Sequence, residues 1–237
     1  MDGNIIVRLN VNRQRIYEIG INSWASKLFS LFILTDICFI ALSILALSGY
    51  WSDLYPDLYS NPYFIEVDRG YAEFFQYMKT FWCILLMGLI AIRQRSPLYL
   101  SWMLLFLYLL ADDCIEIHEN LGYYLSTRLG FVPAFGLRAR DFGEVLVSAS
   151  VGLFLLSCIG MAYRLGDSVF RKVSRSLLIM LLALAVCGIL VDLLHMMAPR
   201  RLFHVFGILE DGGEMIVMSA ITTFILVVSD QQSTKQK

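Results

Sequence analysis

The chain has 237 residues, of which 58% are apolar and 16% charged, with a net charge of −1 and a mean hydropathy of +0.65. Ordinary soluble domains have about 45–50% apolar and about 25% charged residues. The composition therefore argues against a soluble enzyme and, more firmly, against a disordered chain. The pI of about 6.3 and the lack of a basic stripe argue against nucleic acid as a partner. An integral membrane protein is indicated.

Six apolar stretches are long enough to cross a bilayer, which takes about 20 helical residues for about 30 Å of hydrocarbon. None has a proline in its interior, and none shows the alternation of barrel strands. We predict an all-α fold: one polytopic membrane domain over residues 1–237 in which six transmembrane helices form a bundle. The predicted spans are 26–49, 74–93, 97–118, 143–163, 175–197 and 205–229. The aromatic connection between 50 and 77 is expected to lie at the level of the headgroups.

Lysine and arginine residues set the orientation of such a bundle, because they are in excess on the cytoplasmic side. With the N-terminus inside, the cytoplasmic segments hold Arg8, Arg13, Arg15, Lys27, Arg93, Arg95, Arg164, Arg171, Lys172, Arg175, Lys235 and Lys237. The outer segments then hold Arg69, Lys79, Arg128, Arg138, Arg140, Arg200 and Arg201. The bias predicts that both termini are cytoplasmic. We expect a multi-pass protein of the bacterial inner (plasma) membrane.

The acidic residues are unevenly distributed. Half of the 20 Asp and Glu residues lie at the ends of only four predicted spans. They are Asp112, Asp113, Glu116, Glu119, Asp141, Glu144, Asp192, Glu210, Asp211 and Glu214. Spans three and five end with their acids, whereas spans four and six begin with theirs. Since successive spans run in opposite directions, all four sets are predicted on one side of the membrane, which is the outer side for this orientation.

Helical spacing adds detail to this prediction. At about 100° per residue, Asp112, Glu116 and Glu119 share a face of the third span. Glu210 and Glu214 share a face of the sixth. His118 points about 120° away from Asp112, which argues against its joining the acids.

Several carboxylates that converge in a bundle repel one another unless protons, arginines or a bound metal neutralise them. Carboxylates with imidazoles in a helical bundle are the setting of di-iron and di-manganese proteins, which use Glu-x-x-His pairs. Asp192 and His195 have that spacing with Asp in place of Glu, and a second such pair is missing. We therefore expect a divalent metal. Iron or manganese is favoured, and zinc, which leans on His and Cys ligands, is a further option. The expected ligands are Asp112, Glu116, Asp192, His195, Glu210 and Glu214.

The remaining charged residues at this end have two interpretations. Glu119 and Glu144 are candidates for the catalytic general base. Arg138, Arg140, Arg200 and Arg201 either anchor an anionic substrate headgroup or act as counter-ions and lipid-phosphate contacts at the rim. The whole acidic set could also be a solvated rim, although the helix dipole disfavours acids at the C-terminal ends of spans three and five.

Three functions remain open at this point. The first is a metal-dependent enzyme, hydrolytic or oxidative, that acts on a lipid-like or small amphipathic substrate. The second is a transporter or channel in which the same acids carry protons or a cation. The third is a non-enzymatic membrane effector or partner subunit. Membrane lipids are the expected partners, and the sequence allows a homo-oligomer.

Overall fold

The structure is a computed structural model that describes residues 23–234. Within that range the chain is helical and contains no β-strand, only an isolated bridge between Ala134 and Leu137. The helices are α1 (Ser23–Leu47), α2 (Tyr71–Arg93), α3 (Leu100–Ile115), α4 (Ile117–Leu129), α5 (Ala139–Leu165), α6 (Ser168–Ala185), α7 (Asp192–Met197) and α8 (Phe203–Thr234). Short 3₁₀ turns at Leu58–Ser60 and Pro97–Tyr99 precede α2 and α3, and a π-helical turn at Val186–Val191 joins α6 to α7.

Six helices are long and apolar enough to cross a membrane, as predicted. They are α1, α2, α3 with its preceding turn, α5, the continuous segment Ser168–Met197, and α8. Their most apolar windows have mean hydropathies between 1.5 and 2.9. This architecture is that of a multi-pass membrane protein. Arg8, Arg13, Arg15, Lys235 and Lys237, on which part of the predicted orientation depends, lie outside the described residues.

The prediction of one continuous third span over 97–118 was wrong. Glu116 has a left-handed backbone (φ 54°, ψ 48°), so α3 ends at Ile115 and α4 begins at Ile117. Left-handed residues do not continue a right-handed helix. The predicted shared face of Asp112, Glu116 and Glu119 is therefore absent, because the three residues belong to different helices or to the break between them.

Lys79 does not lie in an outer segment, where the charge count had placed it. It lies inside α2, where its side chain is fully buried and its Nζ is 3.0 Å from Asp36 Oδ1 on α1. Nζ also donates to the Met215 carbonyl (2.8 Å) and to Ser219 Oγ (3.2 Å) on α8. Ser219 in turn donates to Asp36 Oδ2 at 2.6 Å. This network joins α1, α2 and α8 deep in the bundle.

Two glycines let α4 pack directly on α5. A Cβ at Gly143 would lie 2.1 Å from the Gly122 carbonyl oxygen, and one at Gly122 would lie 2.6 Å from the Glu144 nitrogen. The two backbones therefore touch. This contact sets where the charged residues of α4 stand relative to those at the start of α5.

Candidate functional site

A cavity of about 310 Å³ lies at the end of the bundle where α2 and α8 begin and α3 ends. We call it the acidic cavity. Its walls carry eight carboxyl groups and one imidazole, and no lysine or arginine among the described residues lines it. These side chains are Glu66, Asp68, Glu73, Asp113, Asp192, His195, Glu210, Asp211 and Glu214. The excess of negative charge favours a cationic occupant.

His195 is held in this cavity by a carboxylate. Its Nδ1 lies 2.8 Å from Glu210 Oε2, and both side chains are largely buried. Its ring also packs on Phe203, with 4.1 Å between the ring centroids. The other ring nitrogen, Nε2, is buried and has no hydrogen-bond partner among the described residues. A carboxylate on one imidazole nitrogen fixes the ring and leaves the other nitrogen to act as a base or a metal ligand.

A glutamine and a glutamate form a second pair at the opposite part of the cavity wall. Gln76 Nε2 donates to Glu214 Oε2 at 3.1 Å. The Gln76 side chain is only 9% exposed, and its Oε1 has no hydrogen-bond partner within the described part of the chain. Glu214 fits here because residue 188 is glycine, where a Cβ would come within 1.9 Å of Glu214 Oε1. Gly188 belongs to the π-helical turn, a feature that is frequent at functional sites.

A larger cavity of about 510 Å³ adjoins the acidic one. We call it the apolar cavity, since leucine, isoleucine, methionine, alanine and glycine side chains from α3, α5, α6 and α8 form most of its wall. The two cavities share Gln76, Asp113 and Glu214. A polar compartment therefore passes directly into an apolar one.

The break at Glu116 builds a third cavity of about 120 Å³ between the start of α2 and the α3–α4 junction. The carboxylate of Asp112 spans the break, because its Oδ1 accepts the backbone N–H of His118 (2.8 Å) and its Oδ2 lies 2.9 Å from the ring Nδ1. Arg69 pairs with Glu116 at 2.9 Å. His118 thus joins the acids, contrary to the prediction, since the left-handed residue turns α4 back towards Asp112.

Four of the six expected metal ligands line the acidic cavity: Asp192, His195, Glu210 and Glu214. Asp112 and Glu116 lie in the adjoining third cavity, where His118 and Arg69 partner them. Among the described residues, no three His, Cys, Asp or Glu side chains are arranged to hold a metal ion.

The two expected catalytic glutamates lie outside the acidic cavity. Arg140 bridges them, contacting Glu119 on α4 and Glu144 on α5. Partial burial raises the pKa of Glu119 above its usual range, against the nearby Arg140 charge. Arg138 pairs with Asp141 at the start of α5. Both arginines therefore have partners within the chain.

Arg200 and Arg201 lie in the turn between α7 and α8, and both are exposed. This position suits the predicted role at the rim of the bundle. It places them next to α7, which carries His195.

Residues 24–228 match the family model described as "Domain of unknown function (DUF8692)". The chain belongs to this family. No curated protein and no solved structure shows significant similarity to it. The residues of this DUF8692 member are therefore interpreted from their own geometry.

Sequence reasoning missed the wall that this DUF8692 member builds from its α1–α2 connection. Phe64 is fully buried there, and the backbone N–H of Ile65 donates to Ser43 Oγ at 3.2 Å. These contacts hold Glu66 in the acidic cavity, where burial raises its pKa and a 3.3 Å contact with His204 lowers it. The signal was available, because this connection lies at the same predicted end as the other acids.

The His118–Asp112 pair predicts a pH-dependent stability. The hydrogen bond to Asp112 raises the pKa of His118 above its usual value of about 6.5, although burial opposes it. The stabilisation is therefore fully present below about pH 6.5 and is lost as the pH rises through the higher pKa of the folded state. In thermal unfolding, we expect the difference between wild type and His118→Gln to be largest near about pH 6 and to shrink by about pH 9. A difference that does not change with pH would contradict this assignment.

Proposed function

We propose that the chain is an integral membrane metalloenzyme that acts on a lipid-like or small amphipathic substrate at the acidic end of its bundle. The observation that carries the proposal is the free, buried Nε2 of His195 in a cavity lined by carboxylates. An imidazole whose other nitrogen is fixed by a carboxylate is the usual form of a metal-ligating histidine.

The residues of the acidic cavity fit a divalent ion by their chemistry. His195 Nε2 would provide the nitrogen ligand, and Asp192, Asp211 and Glu214 offer carboxylate oxygens in the same cavity. Iron, manganese and zinc all accept this donor set. Glu210 orients His195 and is thus assigned to ligand support, one step removed from the ion. Such an ion, once bound, would activate water or oxygen near the substrate. Binding requires the carboxylate side chains to rotate towards Nε2.

The joined cavities support an amphipathic substrate. The acidic cavity would receive the polar group and the apolar cavity the hydrocarbon part. A volume of about 510 Å³ for the apolar cavity is within the range of sites that bury a small ligand.

We further propose that the six apolar helices cross the membrane with both termini in the cytoplasm. Removing Lys79 from the outer count, because it lies in the core of the bundle, strengthens the charge bias that supports this orientation. The acidic cavity then opens to the outer side.

Metal content tests the proposal. The chain is purified in detergent without chelator, and its iron, manganese and zinc are measured by mass spectrometry in wild type, His195→Ala, Glu210→Ala and His204→Ala. His204 is the matched control, since it is also a histidine paired with a carboxylate. We expect stoichiometric metal in wild type and in His204→Ala and none in His195→Ala. Glu210→Ala should bind the metal about 10–100-fold more weakly, as substitutions of ligand-supporting residues do.

Two outcomes would refute the metalloenzyme. One is a folded wild-type chain that contains no metal. The other is a His195→Ala variant that retains the metal content of wild type. Size-exclusion profiles of all four proteins establish that each is folded.

A second candidate function, transport of protons or of a cation, is favoured by one observation. The Lys79 network lies directly below the acidic cavity, because Lys79 Nζ bonds to the carbonyl of Met215, which lines that cavity. Polar contacts thus continue from the cavity towards the middle of α2 and α8. Farther along, the buried residues that surround α2 and α8 are apolar, including Met87, Ile90 and Ile225. A metal-free chain that moves protons or cations across liposomes would support this function instead.

A further inference from the structure

The boundary between the two cavities has a distinct chemistry. Gln76, Asp113 and Glu214 line both compartments. Each presents an oxygen acceptor to the shared space. The Gln76 amide is the most informative, since it is nine-tenths buried and its Oε1 accepts no hydrogen bond from the described residues. A buried acceptor without a donor is costly, so a ligand that donates to it would be strongly favoured.

We propose that this boundary binds the ammonium group of a single-chain primary amine, with the aliphatic chain of the amine in the apolar cavity. This inference rests on the proposed function, because it names the class of substrate for the same site. A primary ammonium brings three N–H donors and one positive charge. Those donors match Gln76 Oε1 and the carboxylates of Asp113 and Glu214.

An alcohol or an anionic headgroup suits the boundary less well. An alcohol supplies a single donor and no charge, and a phosphate or carboxylate would face the acids without an arginine or lysine in either lining. The phenol of Tyr108, whose buried hydroxyl has no hydrogen-bond partner among the described residues, lines the apolar cavity and can accept a further ammonium proton.

An ammonium group and a metal ion can occupy the site together. Eight carboxyl groups line the acidic cavity, so a divalent ion near His195 leaves negative charge for a monovalent cation near Gln76. The two positions lie on different helices of the wall, α7 and α2.

The apolar wall offers a variant that blocks the chain of the amine without touching its headgroup. Gly152 on α5 lines the apolar cavity, and a Cβ there would meet no atom within 4 Å. Gly152→Leu therefore fills the cavity. Gly160 lies on the same helix, has the same open surroundings and does not line the cavity, so Gly160→Leu is the matched control.

The test is saturation binding of radiolabelled dodecylamine to the chain in lipid nanodiscs, with empty nanodiscs as the blank for partitioning. Dodecanol and N-acetyldodecylamine serve as competitors. We expect saturable binding of dodecylamine and at least about tenfold weaker competition by the two uncharged analogues, which corresponds to about 1.4 kcal/mol. Gln76→Leu and Gly152→Leu should each weaken binding about tenfold or more, whereas Gly160→Leu binds like wild type.

The proposal is overturned if dodecylamine shows no saturable binding, if dodecanol competes equally, or if Gly152→Leu binds like wild type. Should Gly152→Leu fail to fold, Ala185→Leu on the opposite wall of the apolar cavity replaces it. Binding is also measured on chelator-treated chain and on His195→Ala. Saturable binding there supports the amine site even if the chain is no metalloenzyme. Loss of amine binding in a chain with His195-dependent metal refutes the substrate class alone.

Discussion

Lys79→Met is expected to destabilise the fold by about 3–5 kcal/mol, the usual effect of removing one partner from a buried ion pair. Both side chains of the pair are fully buried, and the Nζ–Oδ1 distance is 3.0 Å. The substitution leaves Asp36 in the core with Ser219 as its remaining hydrogen-bond donor. Unfolding in mixed micelles at increasing fractions of a denaturing detergent measures the loss.

The control for this prediction is the double variant Asp36→Leu/Lys79→Met. Replacing a buried ion pair with apolar residues of similar volume is often neutral or stabilising. Ser219 can then donate to the backbone carbonyl of Met215, four residues earlier on α8. We expect the double variant to unfold close to wild type. If it is as unstable as Lys79→Met, the effect comes from packing and the ion pair is not its cause.

Gly143→Ala is expected to destabilise the fold by about 1–3 kcal/mol, as overpacking of a close contact does. The new Cβ would lie 2.1 Å from the Gly122 carbonyl oxygen, and a backbone atom cannot move aside as the tip of a side chain can. The helices α4 and α5 must therefore separate. This separation also pulls Arg140 away from Glu119, and the same unfolding assay reports the result.

Gly160→Ala is the matched control, on the same helix and with no atom within 4 Å of the new Cβ. It should leave stability unchanged or raise it slightly, since alanine favours a helix by about 1 kcal/mol relative to glycine. Equal losses at positions 143 and 160 would show that general effects of alanine on α5, and no contact with α4, determine the outcome.

The number of long helices was predictable because hydrophobic length alone decides it. Each of the six apolar runs is long enough to form a spanning helix, and prolines interrupt none of them. The end of α3 was not predictable in this way. The left-handed conformation of Glu116 has no glycine to announce it, and the capping of the His118 N–H by Asp112 becomes visible only in three dimensions.

The candidate site was predictable in part for a similar reason. Alternating helix directions correctly placed Asp192, His195, Glu210 and Glu214 on one cavity wall. Pairing was not predictable, because it depends on which helix faces are adjacent. Arg140 lies between Glu119 and Glu144, and Lys79 meets Asp36 across 43 residues of sequence. Sequence spacing gives neighbours along one helix, whereas these partners come from different helices.

The π-helical turn at Val186–Val191 gives the site a dependence on chain length as well as on residue identity. Such a turn accommodates one residue more than an α-helix does, so it sets the rotational phase of everything that follows. Deleting a single residue there would restore a regular helix and rotate Asp192 and His195 by about 100° about its axis. Every ligand would still be present, but the imidazole would face another part of the bundle. In the evolution of this family, an insertion of one residue would thus suffice to turn a plain spanning helix into a wall of the acidic cavity.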